Sequence, residues 1–524
     1  MPLDATASHS LPDGYQFSVL LLRHGYGYAT RVSGFAPSLL ALPEGPQVFI
    51  VSSALKRVFS ECLELGAFYR NGDIDPIVVQ PVAVLALQHF LEQKEEKLQG
   101  EVAWLLSERI DCVLSDAAFL GCEAATQACI PSVLVTNFTF DSVYSYLAVN
   151  LRHGINGSGT SLQVRKDGYD VQVDTPIPNV VLEPLVEQLY NGYRYTNVPL
   201  LLPGHIPIHS FFQGPSLPSS RWIYALTNKL SLEITHNLSD LSMGELHPSA
   251  SFPPATSVLA KYSLTLKFPL RSKPARIAKR IPLLVRSLSS DMKSMSGRSR
   301  LLLSLGISRG LQDAPDTRIV VVSFGDQIVY RPHGRSPSPQ SHGGNHSSSP
   351  ETGPLAHEML SVTSAAAEPS IDLGCAESCC VGMRDSEKDS EKSIEEEPLP
   401  SNFYIAPSDV YMSNLTAVAD VLLGKMGYGT VSECIAYGTP LVYVPRPLFV
   451  EEHGLRLWLK AEGIGVELSR EEYESGQWAS KIEEAFEKRR KTKRGIIGGD
   501  QNEEEIQKLA AWVLRYVEAW QRGE

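Results

Sequence analysis

The chain has 524 residues, 43% of them hydrophobic, and its 47 Lys plus Arg against 59 Asp plus Glu give a formal net charge of −12. That length exceeds one ordinary core and implies two domains with irregular material between them. The acidic balance excludes a general nucleic-acid binder, so an anionic ligand must be held by local features such as helix N-termini and a few Arg or Lys side chains.

In chain order, residues 1–16 carry Asp4 and Asp13 and no basic, apolar signal-peptide pattern. No apolar run approaches the ~20 residues of a membrane span. Residues 17–22 (FSVLLL) read as a strand ending in Arg23-His24-Gly25-Tyr26-Gly27-Tyr28, and 29–42 as a helix or loop-helix. A second strand at 47–52, a helix-like stretch at 54–69 and a third strand at 77–80 follow. Residues 90–109 have helical spacing, 110–114 form a strand ending at Ser115-Asp116, 120–129 a helix and 132–136 a strand. Strands alternating with helices imply a mostly parallel, doubly wound α/β sheet. The pattern is mixed over 142–194, and 212–275 has no clear period. Lys273 to Arg280 is a short basic run that reads as a solvated linker or, alternatively, a phosphate contact.

A second α/β region opens near Ile281, with a strand at 318–324 ending at Gly325. Residues 332–400 are rich in Ser, Pro, His and Gly and then in mixed charge, with little to bury, and read as a disordered insertion. Order returns at Phe403. A strand at 418–422, a helix at 429–437 closed by Gly438, a strand at 441–444 and helices at 451–462 and 481–489 follow. The helix at 503–520 sets Ile506, Leu509, Trp512, Val513, Tyr516 and Trp520 on one face. The domain reading is therefore a flexible 1–16, an N-terminal Rossmann-like domain at 17–211, an insertion at 212–275, a C-terminal Rossmann-like domain at 276–331 plus 401–524, and an insertion at 332–400.

The 8 cysteines show no paired CxxC spacing, and most lie in apolar segments. Cys375, Cys379 and Cys380 sit in a polar stretch, where a metal site is a minor alternative. A reduced, cytoplasmic compartment fits best.

The strongest chemical signal is Gly424-Lys425-Met426-Gly427-Tyr428-Gly429-Thr430-Val431-Ser432-Glu433. A strand runs into a glycine-rich turn that opens a helix, where backbone N–H groups and the helix N-terminus favour a phosphate. Thr430 adds a hydroxyl, and Glu433, one turn in, can accept from both hydroxyls of a ribose. An ordinary strand-to-helix turn would look similar. Glu451 and Glu452 could accept from sugar hydroxyls or simply open a helix. His24 could remove a proton from an acceptor hydroxyl, oriented by Asp116, or be a loop hydrogen-bonder. Gly25, Gly27, Gly325 and Lys425 read as loop support. Thr30 stands where a GxGxxG pattern needs its third glycine, so that dinucleotide motif fails.

Together these residues resemble a known family. The run LGKMGYGTVSECIAYGTPLVYVPRPLFVEE, with HGYGYATRV, LSD, VTNFTFD, PGHIPI and SFGDQ in order, is similar to the glycosyltransferase-like domain that precedes the sugar kinase in plant-type L-arabinokinases. It is more distantly similar to the GT-B enzyme that makes lipid II. The resemblance implies two Rossmann-like domains facing a cleft, with a nucleotide sugar, most often a UDP-sugar, on the C-terminal domain. Gly427, Gly429 and Thr430 would lie at the diphosphate, Glu433 at the ribose, Glu451 and Glu452 near the sugar, and His24 on the acceptor side. No metal or other cofactor is expected for such a transfer. Tyr28 replaces a His common in the family. No Gly/Ser-rich phosphate loop of the sugar-kinase kind occurs within these residues, which argues against a third reading as an L-arabinose kinase. The expected function is glycosyl transfer from a nucleotide sugar to an unknown acceptor. The rival is a catalytically silent nucleotide-sugar-binding module, favoured by Tyr28 and the insertions as His24 and Glu433 favour the enzyme.

Overall fold

The computed structural model describes residues 16–20, 26–54, 56–72, 83–148, 177–212, 223–224, 229–232, 235, 245–246, 277–314, 317–324, 378–383, 402–407, 410–446, 449–492 and 500–523. The first sheet is built from β1 (Gln16–Leu20), β2 (Gln47–Ser52), β3 (Phe68–Asn71), β4 (Cys112–Ser115), β5 (Ser132–Thr136) and β6 (Val198–Leu201). Their spatial order is β3-β2-β1-β4-β5-β6 and every neighbouring pair is parallel. β4 and β5 are buried along their whole length, which is why they read as continuous apolar runs. Ile223–Tyr224 (β7) and Lys229–Leu230 (β8) pair separately. Glu245–Leu246 (β9) and Ala278–Arg280 (β10) extend the first sheet beyond β6, β10 parallel to β6 and β9 antiparallel to β10.

The second sheet comprises β11 (Arg318–Ser323), β12 (Ser378–Met383), β13 (Phe403–Ala406), β14 (Val421–Lys425), β15 (Leu441–Val444) and β16 (Gly465–Glu467). Its order is β13-β12-β11-β14-β15-β16, parallel throughout. Both units therefore share one doubly wound topology. In each, strand order reverses once, at β1/β4 and at β11/β14, and ligands of such sheets bind beyond the strand ends at that reversal.

Several boundaries differ from the sequence reading. The third strand is β3, which begins within the last two residues of the stretch expected to be helical and runs beyond it, while 77–80 lies outside the described residues. The Ser60–Glu64 helix stops at Gly66, whose φ of 100° suits glycine, and Phe68 then stacks on Phe49 of β2 with ring centroids 4.9 Å apart. β10 (278–280), within the range expected to open the second unit, pairs with β6 in the first sheet. Ala278 is fully buried there, and Lys279, from the basic run, lies over the Trp512 ring at 5.3 Å. β12 falls inside the insertion expected at 332–400. Its six residues, Ser-Cys-Cys-Val-Gly-Met, disappear when composition is averaged over a long polar stretch. The closing helix, Asp500–Arg522, packs on the first helix, Tyr26–Leu40, and Gln521 donates to Asp111 of the first unit at 2.8 Å. The two units share one core, in which Phe35, Leu114, Leu284, Val431, Trp458 and Val513 belong to a single buried cluster.

Candidate functional site

β14 delivers the glycine-rich turn. Gly424 lies inside the strand beside Ser323, whose carbonyl oxygen would sit 2.1 Å from an added Cβ, so that glycine serves close strand approach. Gly427 is the N-cap of the Tyr428–Tyr437 helix, its Cβ position faces open space, and among the described residues no side chain caps the helix. The first-turn amides of Tyr428, Gly429 and Thr430 have no acceptor within the helix, which leaves an anion-favouring end at the topological reversal. Gly438 closes the helix in the left-handed region, φ 67°, and the Thr439 amide bonds the Cys434 carbonyl at 2.9 Å. Lys425 ends β14, half-buried.

Glu433 is 3% exposed. Its Oε1 accepts from Arg286 Nη2 at 2.9 Å and from the Ser413 hydroxyl at 2.7 Å, and its Oε2 accepts from the Thr416 hydroxyl at 3.2 Å. A buried carboxylate survives only with such company.

The Glu451–Glu462 helix turns two acids inward, both nearly fully buried. Glu451 Oε1 accepts from Asn137 Nδ2 of the first unit at 2.8 Å. Asn137 in turn accepts from Arg31 Nη1 at 2.5 Å, and Arg31 Nε lies 3.1 Å from Asp116 Oδ2 while its guanidinium stands 5.0 Å from the Tyr428 ring centroid. A polar chain thus runs from β4 and β5 of one unit to the helices after β14 and β15 of the other. Glu452 is held within its own unit: the Arg446 amide and Nε donate to it at 2.9 and 2.7 Å, and Arg446 Nη2 reaches the Met426 carbonyl at 2.6 Å. His453 Nε2 meets the Tyr146 hydroxyl at 2.9 Å. Gly454 and Gly204 pack backbone to backbone: a Cβ on Gly454 would lie 2.2 Å from the Gly204 carbonyl oxygen.

Burial dominates the titration of these groups. Asp116 is pushed up to about 7 by burial, against the pull of Arg31 and with a further push from Glu451. Burial likewise raises Glu451, opposed by the Asn137 hydrogen bond, and Glu452, opposed by Arg446. Burial lowers His453 to about 4, so it is neutral at pH 7. Among the described residues the Arg31 guanidinium is the partner of the Asp116 carboxylate, and a small cavity lined by Arg31, Phe35 and Asp116 adjoins it.

The carboxylate expected to orient His24 is thus turned to Arg31. His24, Gly25 and Gly325 lie outside the described residues, and Gly27 lies in the Tyr26–Leu40 helix. Glu451 and Glu452, expected near a sugar, flank the boundary between the units and already have protein partners. The structure adds Arg31, Asn137, Arg286 and Arg446. Arg31 and Asn137 stand inside the HGYGYATRV and VTNFTFD runs, so those motifs carried the signal, but neither residue type announces a partner in the other unit. Among the described residues no group of His, Cys, Asp and Glu could hold a metal ion, and no helix is long and apolar enough to cross a membrane.

Two Rossmann-like units of one doubly wound topology, sharing a buried core, give an α/β protein with the GT-B fold. Its sequence is similar over 494 residues, at 25% identity, to the L-arabinokinase of Arabidopsis thaliana; the match takes in 92% of this chain and 33% of that protein, so the chain spans about a third of the relative's length. A shorter match, 52% identical over 44 residues, is to the UDP-N-acetylglucosamine--N-acetylmuramyl-(pentapeptide) pyrophosphoryl-undecaprenol N-acetylglucosamine transferase of Paenarthrobacter aurescens (strain TC1), and covers 8% of this chain and 12% of that one. No protein-family model matches. Among solved structures, a UDP-glucosyltransferase from Polygonum tinctorium aligns with 97% of this chain and 99% of its own at 11% identity and a TM-score of 0.47. The calicheamicin glycosyltransferase CalG4 aligns with 97% and 98% at 15% identity and a TM-score of 0.45.

Proposed function

We propose that this protein binds a nucleotide sugar, of UDP type, and transfers its glycosyl group to an acceptor approached from the first unit. The observation that carries this reading is the uncapped N-terminus of the Tyr428–Tyr437 helix, open at Gly427 and set at the reversal of the second sheet. The diphosphate rests on the amides of Tyr428, Gly429 and Thr430, with Lys425 as the nearby cation. Glu433 takes the ribose, and Glu451 and Glu452 lie toward the sugar. In the transfer, an acceptor oxygen attacks the anomeric carbon, the bond to the diphosphate breaks, and the acceptor proton passes to a base. His24, beyond β1, is one such base. Asp116, directly after β4 and with a proton affinity near neutrality, is a second. The helix dipole and side chains stabilise the departing diphosphate without a metal. The free thiols of Cys62, Cys112, Cys122, Cys129 and Cys434 fit a cytoplasmic location.

A second reading, a silent nucleotide-sugar-binding module, is favoured by the commitment of Glu451 to Asn137 across the units. A thermal-shift screen of nucleoside diphosphates and their sugars tests the shared premise, because a ligand at 100 times its Kd stabilises the folded state by about 2.7 kcal/mol. UDP and a UDP-sugar should raise the melting midpoint; no response to any nucleotide at millimolar levels contradicts both readings. Slow UDP-sugar hydrolysis that His24→Ala or Asp116→Asn abolishes while UDP binding persists selects the enzyme.

A further inference from the structure

The connection between the units, residues 281–289, has no regular secondary structure and is fastened to the second unit through Arg286. The Arg286 guanidinium reaches Glu433 Oε1 through Nη2 at 2.9 Å and Nε at 3.3 Å. Its backbone carbonyl accepts from the Tyr437 hydroxyl, and the adjoining Ser287 carbonyl accepts from Tyr411 at 3.1 Å. The Tyr411 ring lies 4.9 Å from the guanidinium. A carboxylate offers about four lone-pair sites. Among the described residues the donors to Glu433 crowd Oε1, where Arg286 and Ser413 both point, and Oε2 receives only the Thr416 hydroxyl. One acceptor position on Oε2 therefore stays in hand, and Arg286 sets which way it points.

We propose that Arg286 is the positioning residue for nucleoside recognition: it clamps Glu433 by Oε1 so that Oε2 receives a ribose hydroxyl, and it ties that carboxylate to the path between the two units. This rests on the nucleotide reading above. Removing the clamp leaves the phosphate-facing helix end intact but frees the carboxylate to rotate, so the loss falls on the ribose and not on the diphosphate.

The test is calorimetric titration of the full chain with UDP and with 2′,3′-dideoxy-UDP, for wild type, Arg286→Met, Arg286→Lys and Ser413→Ala. Wild type should favour UDP by roughly tenfold, the worth of a hydrogen bond to a charged acceptor. The ratio should fall toward one in Arg286→Met, recover in part in Arg286→Lys, and persist in Ser413→Ala, which keeps the clamp. If Arg286→Met does not fold, Arg286→Lys decides, by a ratio between one and the wild-type value. An unchanged ratio in the Arg286 variants, with both ligands weakened alike, overturns the proposal and leaves Arg286 a merely structural residue. Wild type binding both ligands equally overturns the ribose role of Glu433 and this proposal with it, while the diphosphate site stands. Wild type binding neither ligand overturns the nucleotide reading itself.

Discussion

Asn137 is a small side chain with a large share of the boundary between the units. Its amide nitrogen serves Glu451 and its oxygen serves Arg31. Asn137→Ala leaves a buried carboxylate short of a donor, and we expect a loss of about 1–3 kcal/mol in urea unfolding. Asp116 sets a pH dependence of definite sign. Its carboxyl titrates at about 7 in the folded state against 3.8 when free. Between those values the folded chain holds a proton that the unfolded chain has released. The stability from this group is complete below about pH 4 and is lost as pH rises through 7. The melting midpoint should therefore fall more steeply from pH 5 to pH 8 in wild type than in Asp116→Asn. The sequence reading had Asp116 at the end of a strand, and it directly follows β4. It missed the Arg31 partner because pairing of two side chains from different elements leaves no local pattern.

At the scale of elements, three apolar strands were legible to the residue: 47–52, 132–136 and 441–444 coincide with β2, β5 and β15. The Glu451–Glu462 helix and the Gly438 cap were equally plain, since amphipathic spacing and a left-handed glycine are local signals. β3 and β12 were not, because edge pairing on Phe49 and strand pairing within a polar insertion are decided by neighbours distant in sequence. Close helix approach was invisible for the same reason. Gly454 belongs to an exposed-looking EEHGLRLW run, yet its Cα meets the Gly204 backbone. Gly454→Ala should cost about 1–3 kcal/mol through overpacking, read as a lower urea midpoint.

For the whole molecule, the closing helix is the strap that makes one body of two units. Ile506, Leu509, Val513, Leu514 and Val517 are buried, and the helix packs on the first helix of the chain. Burial of such side chains is worth roughly 1.5–3 kcal/mol each, so their sum rivals the 5–15 kcal/mol stability of an entire domain. A chain ended at residue 499 should lose its cooperative melting transition, measurable by calorimetry. The amphipathic face of this helix was evident from sequence, but its docking on the opposite unit was not.

Donor binding requires that the mouth of the Tyr428–Tyr437 helix receive a diphosphate. Gly427→Asp probes that directly, because its Cβ would enter open space at an uncapped N-cap position. Aspartate is a favoured N-cap, so the fold should be as stable as wild type or more so by a few tenths of a kcal/mol. Its carboxylate would stand where the phosphates belong. We expect calorimetric titration to show UDP binding weakened at least tenfold in a variant that melts no lower than wild type; undiminished UDP affinity in that same stable variant would contradict the account.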